Sequence, residues 1–85
     1  MNITFITEKS FDDFNNWALA DKKIYKKILD LLKEIQRDPF TGKGKPEPLK
    51  HELSGYWSRR ITDKDRLVYK ITGNAILIAS CKDHY

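Results

Sequence analysis

Apolar positions along the chain change period several times, and each change marks an element. Residues 2–6 form a short, β-branched run that reads as a strand. From Ser10 onward Phe11, Phe14, Trp17 and Ala18 recur at helical spacing and are expected to face a core. Ser10 is the expected helix start, with Asp13 suited to the first turn. Asp21 then caps a second helix whose stripe of Ile24, Ile28, Leu31, Leu32 and Ile35 is the clearest in the chain and ends before Pro39. Lys22, Lys23, Lys26, Lys27 and Lys33 lie mostly off that stripe, as a solvated face or a surface for RNA or a partner. Residues 38–54 are poor in apolar side chains and rich in Gly and Pro, so a long loop is expected there, and loops of that length are usually functional.

Three strand-like segments follow. Residues 55–62 and 66–72 are joined by the polar turn Asp63-Lys64-Asp65. Thr72-Gly73-Asn74 leads into residues 75–81, a nearly continuous apolar run that suits a central strand covered on both faces. Short turns demand antiparallel neighbours, and the helical pair must cover one face of the sheet. The pattern therefore predicts an α+β fold: a two-helix hairpin packed on one face of an antiparallel β-sheet, as a single domain spanning 1–85. The opposite face is left to carry side chains of the last strands and of the loop.

Composition adds constraints. At 85 residues the chain supports one small core and buries only roughly 60–65% of its unfolded surface. Apolar content of 40% is enough to fold. The single cysteine, Cys81, excludes an internal disulfide and reads as buried filler in a reducing, cytoplasmic setting. No secretory leader or membrane span is expected. Residues 1–42 carry seven basic and seven acidic side chains, whereas residues 43–85 carry nine against five, so the whole net charge of +4 sits in the second half. That asymmetry fits either a polyanionic partner such as nucleic acid or a solvated basic face.

Candidate chemistry concentrates in residues 42–66. Glu47 stands between Pro46 and Pro48, which restrict the backbone, and among Lys43, Lys45, Lys50, Arg59, Arg60 and Arg66. A carboxylate in such company is either a surface ion pair or a base aimed at a phosphate. No metal-ligand spacing and no phosphate-binding glycine loop is present, so neither metal nor cofactor is expected. RNA cleavage without a metal needs a base for the 2′-OH, an acid for the departing 5′-oxygen, and cations for the charge on phosphorus. Glu47 suits the base and His84 the acid, with Arg66, Lys50 and Arg60 as the cationic clamp. Tyr85 suits stacking on a base or a phosphate contact. Trp57 and Tyr69 read as packing residues and His51 as structural.

At these residues the chain resembles the YoeB toxins of bacterial toxin–antitoxin modules, within the RelE/ParE superfamily. The resemblance rests on Gly42-Lys43-Gly44-Lys45-Pro46-Glu47-Pro48-Leu49-Lys50-His51, Leu53-Ser54-Gly55, Trp57-Ser58-Arg59-Arg60-Ile61-Thr62, Arg66-Leu67-Val68-Tyr69 and the closing His84-Tyr85. It implies a RelE-like, microbial-ribonuclease-like fold and an endoribonuclease that cuts mRNA in the ribosomal A site. It also implies Glu47 as general base, His84 as general acid, Arg66 as transition-state clamp and Tyr85 as a substrate-positioning residue. Lys50 and Arg60 assist at the phosphate, and Arg59 and Lys45 complete the expected substrate-binding set. The implied partners are a YefM-type antitoxin, the ribosome and its mRNA, with a homodimer admitted and no membrane. Asp83, just before His84, departs from the expected pattern. Two other classes remain open on the residues alone: a non-catalytic, ParE-like inhibitor of a protein target, and a generic basic RNA-binding module.

Overall fold

The computed structural model describes residues 1–83. Its elements run β1 (Asn2–Phe5), α1 (Glu8–Ala20), α2 (Lys22–Arg37), β2 (Glu47–Pro48), a 3-10 turn (His51–Leu53), β3 (Trp57–Arg60), β4 (Arg66–Thr72) and β5 (Ala75–Ser80). One sheet takes all five strands in the order β1-β5-β4-β3-β2, and the helical hairpin packs on one of its faces.

Both helices start where a side chain takes up otherwise unpaired backbone amides. The cap of α1 lies three residues before the expected Ser10. Thr7 is its cap and Ser10 closes the capping box, because Thr7 Oγ1 accepts the Ser10 amide at 2.9 Å. Asp21 caps α2 as expected, accepting the amides of Lys23 and Ile24. The α2 stripe supplies Ile28, Leu31, Leu32 and Ile35 to the core, all buried, each worth roughly 1.5–3 kcal/mol of transfer free energy. Against them pack Leu67, Tyr69, Ile76 and Ile78 of the sheet, with Ile61 and Cys81. On α1, Phe14 and Trp17 join this cluster, but Phe11 is 53% exposed and packs edge-on against Phe5.

The expected fold class holds, with three adjustments. β2 to β5 form the antiparallel meander, but β1 joins the far edge of β5 in parallel. Both helices intervene between β1 and the meander, so no tight turn dictates its direction. β5 is central, yet only one face is covered: Ile76 and Ile78 are buried against the helices while Ala75, Leu77 and Ala79 are half-buried on the other. The stretch expected as a loop carries β2 and the 3-10 turn, because the Glu47–Pro48 pair adds to β3 through the Ser58–Trp57 register. Among the described residues no helix is long and apolar enough to cross a membrane.

Candidate active site

Strand parity sorts the polar residues of the sheet. Leu67 and Tyr69 point into the core, so Arg66 and Val68, alternating with them, point away from the helices. Across the ladder Glu47 stands opposite Ser58 and Ser58 opposite Val68, as one row on the face away from the helices, in which Ser58 and Val68 are themselves buried. Arg60 stands directly opposite Arg66, one repeat further along the same face. Neighbouring strands lie ~4.8 Å apart and a two-residue repeat is ~7 Å, so long side chains from Glu47, Arg60 and Arg66 can reach one bound group. Two guanidinium side chains set opposite each other repel unless an anion lies between them.

Glu47 is exposed, and among the described residues no cation stands at salt-bridge distance from it. Of its two readings from sequence, the ion pair has no partner there. Lys45, Lys50 and Arg60 are also exposed, and Lys45 holds a positive φ of 50°. Residues 47–53 line a groove of about 430 Å³, which sets Glu47 and Lys50 in one concavity. Arg66 is partly buried. Its Nη1 donates to the carbonyls of Thr62 at 2.6 Å, Asp63 at 3.1 Å and Asp65 at 3.1 Å, so the turn before β4 holds the guanidinium. His84 and Tyr85 lie outside the described residues.

Arg59 is the correction. Expected to bind substrate, it is fully buried on the helix side of the sheet. Its Nε donates to Tyr69 Oη at 3.0 Å, Nη1 to Lys43 O at 3.0 Å, and Nη2 to Asp38 O at 2.7 Å and Thr41 O at 2.9 Å. Tyr69 in turn donates to Pro39 O at 2.7 Å. One guanidinium thereby gathers three carbonyls of the 38–43 segment, and Arg60 N–H adds a bond to Gly44 O at 2.6 Å. Asp38 opens this segment. The hydrogen bond from the Thr41 hydroxyl, then the Phe40 amide, holds its carboxyl below the usual carboxylate range. The loop that delivers Lys45 and Glu47 is thus built on Arg59.

Sequence reasoning gave Tyr69 only as packing and missed its bond to the loop; the Arg59–Tyr69 pairing across β3 and β4 becomes visible once parity is assigned. It also passed over Asp65, buried at 2% exposure in the β3–β4 turn. Burial opposes its charge, but hydrogen bonds from the Asp83 amide and the Thr62 hydroxyl, with Lys64 and Lys82 nearby, outweigh burial and hold its pKa below the ordinary value. Cys81 is inert by contrast: burial pushes its thiol up to about 12. Among the described residues no group of three or more His, Cys, Asp or Glu is placed to hold a metal ion.

Known proteins place this geometry in a family. The pattern of the "YoeB-like toxin of bacterial type II toxin-antitoxin system" matches residues 6–85. Toxin YoeB of Escherichia coli K12 is 58% identical over 79 residues, covering 93% of this chain and 94% of that protein. Toxin YoeB of Streptomyces coelicolor is 53% identical over 85 residues, the full length of both. Among solved structures, a YoeB/ParE toxin from Agrobacterium tumefaciens superposes with a TM-score of 0.95 at 42% identity, covering 100% of each chain. The toxin in a heterotetrameric YoeB–YefM complex from Staphylococcus aureus superposes with a TM-score of 0.92 at 51% identity, covering 100% of this chain and 98% of that one. By match, identity and coverage alike, the chain belongs to the YoeB-like toxins of bacterial type II toxin–antitoxin systems.

Proposed function

We propose that the protein is a ribosome-dependent endoribonuclease that cuts mRNA in the A site and so halts translation. The observation that supports the reading is the sheet face away from the helices, which carries the exposed Glu47 and, one repeat along, Arg60 opposite Arg66. Glu47 takes the proton of the ribose 2′-OH, and the 2′-oxygen attacks phosphorus. The bond from phosphorus to the 5′-oxygen breaks, and the acid returns a proton to that oxygen. The products are a 2′,3′-cyclic phosphate and a 5′-hydroxyl. Arg66, with Arg60, neutralises the charge that builds on the phosphoryl oxygens, for which the forked guanidinium is well shaped. Lys50, in the groove with Glu47, and Lys45 hold flanking phosphates. His84 as acid and Tyr85 as substrate-positioning residue follow from the family resemblance.

Antitoxin control belongs to the same reading. Relatives of 51% identity are described as a YoeB–YefM complex and as a YoeB dimer, so a YefM-type antitoxin and self-association are the proposed partners here. A net charge of +4 is small for an enzyme that must hold RNA unaided, which favours the ribosome as the orienting partner.

The test is cleavage of translated mRNA by wild type and Glu47→Gln. Loss of the base should lower kcat by about 10²–10⁴-fold with stability unchanged, and a 2′-deoxy substitution 5′ of the cut should abolish product. Full cutting by the Gln variant, or of the deoxy substrate, would remove the mechanism. Salt-sensitive binding with no products would instead favour a basic binding module.

A further inference from the structure

Asp65 lies at the close of the β3–β4 turn, 2% exposed. Its Oδ2 accepts the Thr62 hydroxyl at 2.8 Å, while Thr62 Oγ1 accepts the Asp65 amide at 3.0 Å, so the two residues lock the turn from both ends. Its Oδ1 reaches across to accept the Asp83 amide at 2.8 Å. From the next residue, Arg66 N–H donates to Asp83 O at 3.1 Å. Both backbone polar groups of Asp83 are therefore held by two consecutive residues of one turn. The same turn carries the three carbonyls that accept from Arg66 Nη1.

The backbone at residue 83 bears the mark of that grip. Asp83 holds a φ of +65°, a conformation uncommon outside glycine that persists where surrounding contacts over-determine it. Its own side chain is exposed; the latch uses only its amide and carbonyl. A carboxylate is the strongest acceptor available for a backbone amide, and charge-assisted bonds of this kind are about twice as strong as neutral ones. A turn that only had to reverse the chain would not need a buried charge.

We infer that Asp65 is a positioning residue that fixes the Arg66 turn and the backbone at Asp83 as one unit, and so holds the Arg66 clamp in its working orientation. The inference rests on the acid–base reading proposed above. Asp65 touches neither substrate nor reacting atoms; it acts through its neighbours. The orientation of the clamp matters because displacing a catalytic group by ~1 Å can cost ~10²-fold in rate.

The experiment compares wild type, Asp65→Ala, Asp65→Asn and Asp83→Gly in steady-state cleavage of translated mRNA, beside amide hydrogen exchange at residue 83 of the wild type. Asp65→Ala should lower kcat by about a hundredfold while KM stays within about twofold. Asp65→Asn should recover at least about tenfold of that loss, because its amide oxygen still accepts the Asp83 N–H. Asp83→Gly should match wild type, since glycine keeps both backbone groups and suits the positive φ. The Asp83 amide should exchange at least about tenfold more slowly than an unprotected one. A folded Asp65→Ala with wild-type kcat, a loss carried by KM, or an unprotected Asp83 amide each overturns the proposal. If Asp65→Ala does not fold, Asp65→Asn and the exchange rate decide. A wild type that releases no product overturns the acid–base reading and the positioning role with it, and the exchange rate, read without substrate, tells that failure from an absent latch.

Discussion

Arg59 and Arg60 are adjacent in sequence, equal in charge and opposite in circumstance. Arg59 is fully buried, with hydrogen bonds to a tyrosine hydroxyl and three loop carbonyls. Arg60 is exposed and faces Arg66 across the ladder. The two-residue period of β3 makes the whole difference, since one step along a strand moves a side chain to the other face of the sheet. The helix side of the sheet organises and the open side presents. Arg59 on the first is a structural part, and Arg60 on the second is left exposed. Counting basic residues near Glu47 treats these two as equals; the sheet does not.

The sharpest way to break that contrast is to truncate each arginine in turn. Arg59→Ala removes the guanidinium donors to the Asp38, Thr41 and Lys43 carbonyls, leaves the Tyr69 hydroxyl without its Arg59 donor though still bonded to Pro39 O, and opens a void under the loop. The expected cost is about 3 kcal/mol or more, a fall in Tm of roughly 12–24 °C for a domain of this size. Arg60→Ala should leave stability within about 0.5 kcal/mol and lower the cleavage rate instead. Thermal unfolding and cleavage assays on the two variants read both axes. If Arg60→Ala proved as destabilising as Arg59→Ala, the division of labour between the faces would be lost.

Gly44 tests the same organising side at smaller scale. Its φ is +85°, and a Cβ there would stand 2.9 Å from Leu31 Cδ2 and 3.0 Å from Arg59 Cβ. The loop passes that close to α2 and β3 only because the residue has no side chain. Gly44→Ala should cost about 2 kcal/mol through strain and overlap, seen as a lower urea midpoint. Gly73→Ala is the control: its φ is also positive, at +53°, but nothing lies within 4 Å of the added carbon, so it should cost less.

Much of this arrangement was legible in the chain. The α2 stripe, the Asp21 cap and the three C-terminal strands follow from periodicity and turn chemistry, because local spacing and local burial agree there. Glu47 stood out for its charge neighbourhood. Three features were not legible, for separate reasons. The parallel pairing of β1 with β5 joins residues more than seventy positions apart, which no local pattern encodes. β2 is two residues long and includes a proline, so it carries no strand signature and exists only because β3 offers an edge. The burial of Arg59 depends on which face of β3 it takes, and the alternation in Trp57-Ser58-Arg59-Arg60 is read in register only once Trp57 is known to face the helices.

Asp65 joins the two sides, and its charge gives the smallest of the expected effects. Its folded pKa lies below the ordinary aspartate value, so the unfolded chain binds the proton more tightly than the native one. The stabilisation is fully present above the unfolded value of about 4, and is lost as pH falls through the lower folded value. Asp65→Asn, which keeps an acceptor but no charge, should be less stable than wild type by about 1 kcal/mol at pH 7. That gap should narrow below pH ~4 as the wild-type carboxylate takes up its proton. Asp38 has a depressed pKa as well, but its carboxyl is exposed and its partners are local, so the matching Asp38→Asn substitution should open a smaller gap. Urea unfolding of the three proteins from pH 7 to pH 3 reads both gaps. A gap at Asp65 that did not change with pH would mean the carboxylate charge is immaterial to the latch, and that shape alone ties the Arg66 turn to residue 83.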